Sequence, residues 1–209
     1  HKTSSAASDV YKRQIITNLN WEVSELKLKN YFHFEKVELI NDFAVLIYGI
    51  KYLENKQFKT LQNKASNIDK YESYHTIVGA GTGLGISRGI ISSTKIIVLP
   101  SEGGHIEFAP KTQEEWELKQ WLKNSLNIER VSYERIISGE GLSNIAKWKF
   151  SKENVRDHPF NYLLKESEES NIVKNSLAGR ICQLAQEGDP LMLDCLLYTS
   201  DAADDVLCV

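Results

Sequence analysis

The 209-residue chain sets 25 Lys and Arg against 28 Asp and Glu, a net charge of -3, with 42% hydrophobic residues. That balance suits a globular protein of one sizeable domain or two small lobes and speaks against an electrostatic nucleic-acid binder. No apolar run reaches the roughly 20 residues of a membrane helix, no charged-then-apolar leader opens the chain, and Cys182, Cys195 and Cys208 have neither zinc nor disulfide spacing, so a cytoplasmic protein without membrane or nucleic-acid partners is expected.

The two ends stand apart. Ser5 to Gln14 and Leu196 to Asp205 resemble translated sequencing-adapter read-through, so residues 1–14 and 195–209 are expected to be non-native extensions around an internal fragment of something longer. Ile15 to Trp21 reads as a strand leaving through a polar turn, and Ser24 caps a short helix over Glu25 to Phe32. Lys36 to Ile40 alternates like a strand and ends at Asn41-Asp42, before an apolar helix over Phe43 to Leu53. An Asn-Asp pair at such a junction is a good N-cap in its own right. Residues 15–53 are assigned to the end of a small α/β lobe. Residues 54–73, polar and lysine-rich without a sustained period, are assigned to a loop or lobe boundary.

A larger lobe over residues 74–194 follows, strands first and helices later. It opens on His75-Thr-Ile-Val-Gly-Ala-Gly-Thr-Gly-Leu-Gly-Ile86, where a β-prone run empties into four glycines spaced two apart. Gly79, Gly81, Thr82 and Gly83 there suit a phosphate-binding turn, with backbone free to reach positive φ, successive amides aimed into one concavity and a hydroxyl donor beside them. A tight β-hairpin turn explains the same glycines. Neither a P-loop nor the dinucleotide fingerprint fits, since no Gly-Lys-Ser/Thr follows and the third glycine of G-x-G-x-x-G falls on Leu84 or Ile86. Ile86 to Ser92 and Lys95 to Leu99 complete a meander.

Pro100 to Phe108 places Glu102 and His105 on one loop around Gly103-Gly104. The two side chains have complementary hydrogen-bond chemistry, though a Glu and a His in a loop are equally at home as solvated groups, and no third ligand at helical spacing supports a metal. Thr112 to Glu115 forms a capping box before a helix that buries Trp116, Leu118, Trp121 and Leu122. Val131 to Leu142 gives a short helix stopped at Gly139 and a second helix carrying Leu142, Ile145 and Trp148, after which Ile172 to Ala185 is the clearest amphipathic segment.

Four stretches, Ile40-Asn-Asp-Phe43, Gly79 to Gly85, Leu99 to Pro110 and Ser132 to Leu142, occur in the order and spacing of bacterial-type glucokinases, and the chain resembles that family from Ile15 to Trp148. The resemblance implies an α/β fragment of the two-lobed hexokinase/actin-like, ribonuclease H-like fold, with an appended helical region. It implies ATP-dependent phosphorylation of glucose at the 6-hydroxyl, at the start of glycolysis. Asp42 would be the catalytic base, Asn41, Glu102, His105 and Glu134 would hold sugar hydroxyls, and Gly79, Gly81, Thr82 and Gly83 would serve the phosphate. ATP would bring its own Mg2+, no metal being held by the protein, and the complete enzyme would be a candidate homodimer. The family's Asp-x-Gly-Gly-Thr hairpin and its later Gly-Gly segment beside adenosine have no counterpart, so the polypeptide is expected to be inactive alone. A repressor-type relative would carry a cysteine cluster after its Gly-His pair, and none lies between His105 and Cys182. A non-catalytic actin-like module would have no need of a base beside a phosphate turn.

Overall fold

The long strands all precede Leu99 and the long helices all follow Lys111 in the computed structural model, which describes residues 13–16, 21–57, 59, 73–99, 101–152, 158–169 and 177–207. Strands β1 (Arg13–Ile16) and β2 (Trp21–Ser24) pair antiparallel, so the stretch read as a strand and polar turn starts in one strand at Ile15 and reaches a second at Trp21. Helix α1 (Glu25–Phe32) starts where Ser24 accepts the Lys27 N–H at 3.4 Å. The strand predicted over Lys36 to Ile40 does not form. The segment has no neighbouring strand among the described residues, and the buried Glu25 carboxylate takes the Leu39 N–H at 2.7 Å instead.

Helix α2 (Asp42–Gly49) continues into a 3-10 turn over Ile50–Tyr52. Most of the segment predicted as a lobe boundary lies outside the described residues. Strands β3 (Ser73–Ala80), β4 (Leu84–Ile91) and β5 (Ile96–Leu99) then form the expected antiparallel meander, with Gly79 opposite Gly85 and Ala80 opposite Leu84 beside the turn.

The glycines of this hairpin serve close approach rather than unusual backbone. Among described glycines only Gly188 has positive φ, at 96°. A Cβ on Gly79 would lie 2.7 Å from the Phe43 ring, one on Gly85 would overlap the same ring, and one on Gly89 would overlap the Ile47 side chain. Phe43 and Ile47, one turn apart on α2, thus seat in a row of glycines on the sheet. This docking fixes where α2 begins.

Helix α3 (Gln113–Leu126) opens with the predicted Thr112/Glu115 capping box and buries Leu118 and Leu122 completely. Trp121 packs at the core margin, but Trp116, on the first turn, is half exposed. Gly139 begins a helix rather than ending one. The segment before it holds only a 3-10 turn, Tyr133–Arg135, and Ser138 caps α4 (Gly139–Lys152) by accepting the Gly141 N–H at 2.9 Å. Helices α5 (Pro159–Glu169), α6 (Leu177–Gln186) and α7 (Pro190–Leu207) close the core around Trp148, Phe108, Phe160 and Ile181. Helix α7 runs through the residues set aside as an extension, with Cys195 buried and Tyr198 packed on Trp148 at a 5.8 Å centroid distance. None of these helices is long and apolar enough to cross a membrane.

Candidate active site

Four segments remote in sequence meet at the turn between β3 and β4. The first is the start of α2. Asn41 caps it, its Oδ1 accepting the N–H groups of Phe43 at 2.8 Å and Ala44 at 3.3 Å, and Asp42 Oδ1 also accepts the Phe43 N–H at 2.9 Å. The capping role foreseen for the pair is therefore real, and it leaves Asp42 Oδ2 and Asn41 Nδ2 for other partners. The Phe43 ring behind them, lodged against Gly79 and Gly85, holds the pair beside the turn.

The second segment is the turn itself. Gly81 donates its N–H to the Gly83 carbonyl at 2.9 Å, and Leu84 donates its N–H to Glu134 Oε2 at 3.0 Å. Thr82 and Gly83 keep N–H groups that bond no acceptor among the described residues. The expected row of inward amides thus reduces to two, with the Thr82 hydroxyl alongside. The Gly81 carbonyl in turn accepts the Gly139 N–H at 2.8 Å, which ties the turn to the start of α4.

The third and fourth segments come as a strapped pair. Phe108 N–H bonds the Val131 carbonyl at 2.8 Å and Tyr133 N–H bonds the Ile106 carbonyl at 3.0 Å, so the Glu102–His105 loop is carried against the 3-10 turn that bears Glu134. Lys119 of α3 secures the strap, donating to the Phe108 carbonyl at 2.8 Å and to Glu107 at 2.9 Å, and that hydrogen bond and charge lower the Glu107 pKa. Gly104 lets the loop lie against the Leu84 carbonyl, where a Cβ would overlap. His105 Nε2 lies 3.7 Å from Glu102 Oε2, and its Nδ1 lies 3.8 Å from Glu134 Oε1, both longer than hydrogen bonds.

The result is a cleft of about 310 Å3 lined by Asn41, Asp42, Gly81, Thr82, Gly83, Glu102, His105 and Glu134. Of the predicted site residues only Gly79 lies off it, beneath the Phe43 ring. Phe43 and Ser101 also line the cleft and were not singled out from sequence. The signal for Ser101 was a hydroxyl two residues before Gly103, whose N–H it accepts at 3.2 Å. The lining holds three carboxylates and an imidazole and no Lys or Arg, a donor-seeking surface suited to a neutral polyhydroxylated molecule rather than an anion. Thr82 also borders a second cleft of about 490 Å3, with Gly139, Glu140, Ser143, Asn144 and Lys147 on its wall. Among the described residues no group of three His, Cys, Asp or Glu is placed to hold a metal.

A sequence-family model described as Glucokinase matches residues 5–208. The glucokinase of Nostoc sp. is 38% identical over 144 residues, 69% of this chain and 41% of that protein. The glucokinase of Synechocystis sp. is 33% identical over 186 residues, 86% of this chain and 51% of that protein. Among solved structures, glucokinase from an Antarctic psychrotroph aligns with a TM-score of 0.55 at 29% identity, over 79% of this chain and 51% of that one. The chain therefore spans about two-fifths to one half of the length of these curated relatives.

Proposed function

Because the chain belongs to the glucokinase family, we propose that its first cleft binds glucose and presents the sugar 6-hydroxyl for phosphorylation by ATP. The convergence of Asn41-Asp42, the Gly81–Gly83 turn, Glu102–His105 and Glu134 on one cleft carries this reading. A hydroxyl is a weak nucleophile near neutral pH, so the open Asp42 Oδ2 takes its proton as attack proceeds. Asn41 Nδ2, Glu102, His105 and Glu134 bind the other hydroxyls, and a sugar lacking one leaves a polar group unpaired.

The unbonded Thr82 and Gly83 amides and the Thr82 hydroxyl fit a phosphoryl group at the rim. ATP with its Mg2+ supplies the electrophilic phosphorus and the cationic charge. The rest of the nucleotide lies in the second cleft, which shares Thr82 and carries Lys147. The two clefts, which share Thr82 of one hairpin turn, and the small antiparallel sheets support reading this mixed α/β chain as part of a two-lobed hexokinase/actin-like architecture. A cytoplasmic location and a homodimer belong to the same reading.

Asp42→Ala, placed in a protein of the relatives' full length, is expected to leave glucose binding measurable by titration calorimetry. Turnover should fall by about two to four orders of magnitude. Turnover within tenfold of the parent would remove Asp42 from the role of base.

A further inference from the structure

The phosphate turn and the sugar cleft are joined by one carboxylate. Glu134 Oε2 accepts the N–H of Leu84, the residue that closes the turn, at 3.0 Å, while Oε1 faces His105 Nδ1 at 3.8 Å. The side chain reaches the turn only because residue 83 is glycine: a Cβ there would lie 2.6 Å from Oε2 and 3.3 Å from the carboxyl carbon, far inside contact distance. Gly81, two residues away on the same turn, has open space on its Cβ side, so the crowding is specific to residue 83. The backbone under Glu134 is itself held, with Ser138 Oγ donating to the Glu134 carbonyl at 2.7 Å and Tyr133 strapped to Ile106. A displaced carboxylate therefore has to swing at its own side-chain torsions. Swinging takes Oε2 off the Leu84 N–H and moves Oε1, on the same rigid carboxylate, from its present place facing His105.

We infer that Gly83, on the phosphate turn, is a positioning residue for the sugar, acting through the Glu134 carboxylate that its missing side chain admits. The inference rests on the proposed role of Glu134 toward glucose and extends it. One oxygen of Glu134 is held by the turn so that the other, with His105, stands at a fixed place for a hydroxyl. A carboxylate so tethered gives up less rotamer freedom on binding than a free one. A substitution at residue 83 accordingly changes sugar affinity with no nucleotide present.

Titration of the full chain with glucose alone, by calorimetry, tests this in a double-mutant cycle. Gly83→Ala is expected to weaken glucose binding by about tenfold or more, the scale of one charged hydrogen bond. In a Glu134→Ala background the same substitution should have almost no further effect, because nothing remains for the methyl group to displace. In parallel, Leu84 amide exchange should be slow beside that of Thr82 and Gly83, and should rise to theirs in Glu134→Ala. Glucose bound normally by Gly83→Ala, or independent effects that multiply in the double variant, would overturn the inference while leaving the sugar cleft standing. A parent chain that takes up no glucose, with its Leu84 amide still protected, would overturn the proposed function and this inference with it.

Discussion

Residues 21–57 and the described residues between 103 and 200 are packed on opposite terms. In the later region Phe108, Leu118, Leu122, Trp148, Phe160 and Ile181 are all at or near zero exposure in one contiguous core. In the earlier region Trp21, Tyr31, Phe32, Phe34, Leu46 and Tyr48 are exposed, and among its large apolar side chains only Ile47 is fully buried. The cleft draws on both. Glu102, His105 and Glu134 stand on the packed side, whereas Asn41 and Asp42 belong to the sparse side and reach their place through Phe43 and Ile47. The lesson is that a site residue can be located by a neighbour's side chain while its own element is barely buried.

The largest effect that would break this contrast is loss of the packed side. Trp148→Ala should cost about 3–5 kcal/mol and lower thermal stability of the whole helical region. A melting curve unmoved by Trp148→Ala would mean that the core does not act as one unit. A smaller and more local effect is expected of Gly85→Ala, whose methyl group would expel the Phe43 ring. It should cost about 1–3 kcal/mol as the crowded ring is forced from its seat. Its signature is faster amide exchange along α2 with α3, α4 and α6 unchanged, and equal exchange in α2 would show that Phe43 does not hold the helix.

The smallest effect sharpens the packed side chemically. Burial first, and then the charges of Glu114, Glu115, Asp194 and Glu117, push the Tyr198 phenol above its usual range, and its buried hydroxyl has no hydrogen-bond partner among the described residues. Burial works against charge on the neighbouring Lys149, yet its hydrogen bond to Asp194 and the charges of Asp194 and Glu114 hold its pKa above the usual value of 10.5. Both folded-state values are raised, so both contributions are complete below the ordinary value of 10.0 for tyrosine and are lost as pH rises beyond it. Helicity followed by circular dichroism should therefore fall above pH 10. Tyr198→Phe should make that fall shallower while changing neutral-pH stability by less than about 1 kcal/mol. An alkaline limb identical in the two proteins would remove Tyr198 from the account.

Local chemistry was legible in the sequence and pairing was not. The caps at Ser24, Asn41 and Thr112 follow from one side chain and the next few amides, and each appears in the structure. The alternation of Lys36 to Ile40 was misleading because period 2 says nothing of whether a partner strand is present. Gly139 read as a stop because glycine is common after helices, but its N–H answers a carbonyl on the turn, which no local window contains. The hairpin glycines were legible as special, but the positive φ expected of them is absent: Gly79, Gly83 and Gly85 make room for a ring and a carboxylate 36 to 51 residues away in sequence. For the same cause Phe43 read as an ordinary apolar position.

The seating of Phe43 and Ile47 in the glycine row also has a mechanical meaning. Two pins one turn apart, about 6 Å along the axis, stop α2 from tilting on the sheet and leave it chiefly a roll about the line joining them. Asp42 and Leu46 each precede a pin by one residue, so they share one face of α2 and swing together when the helix rolls. Leu46 and Tyr48, on either side of the second pin in sequence, are both exposed. A load on the exposed Leu46 therefore turns Asp42 through the same angle.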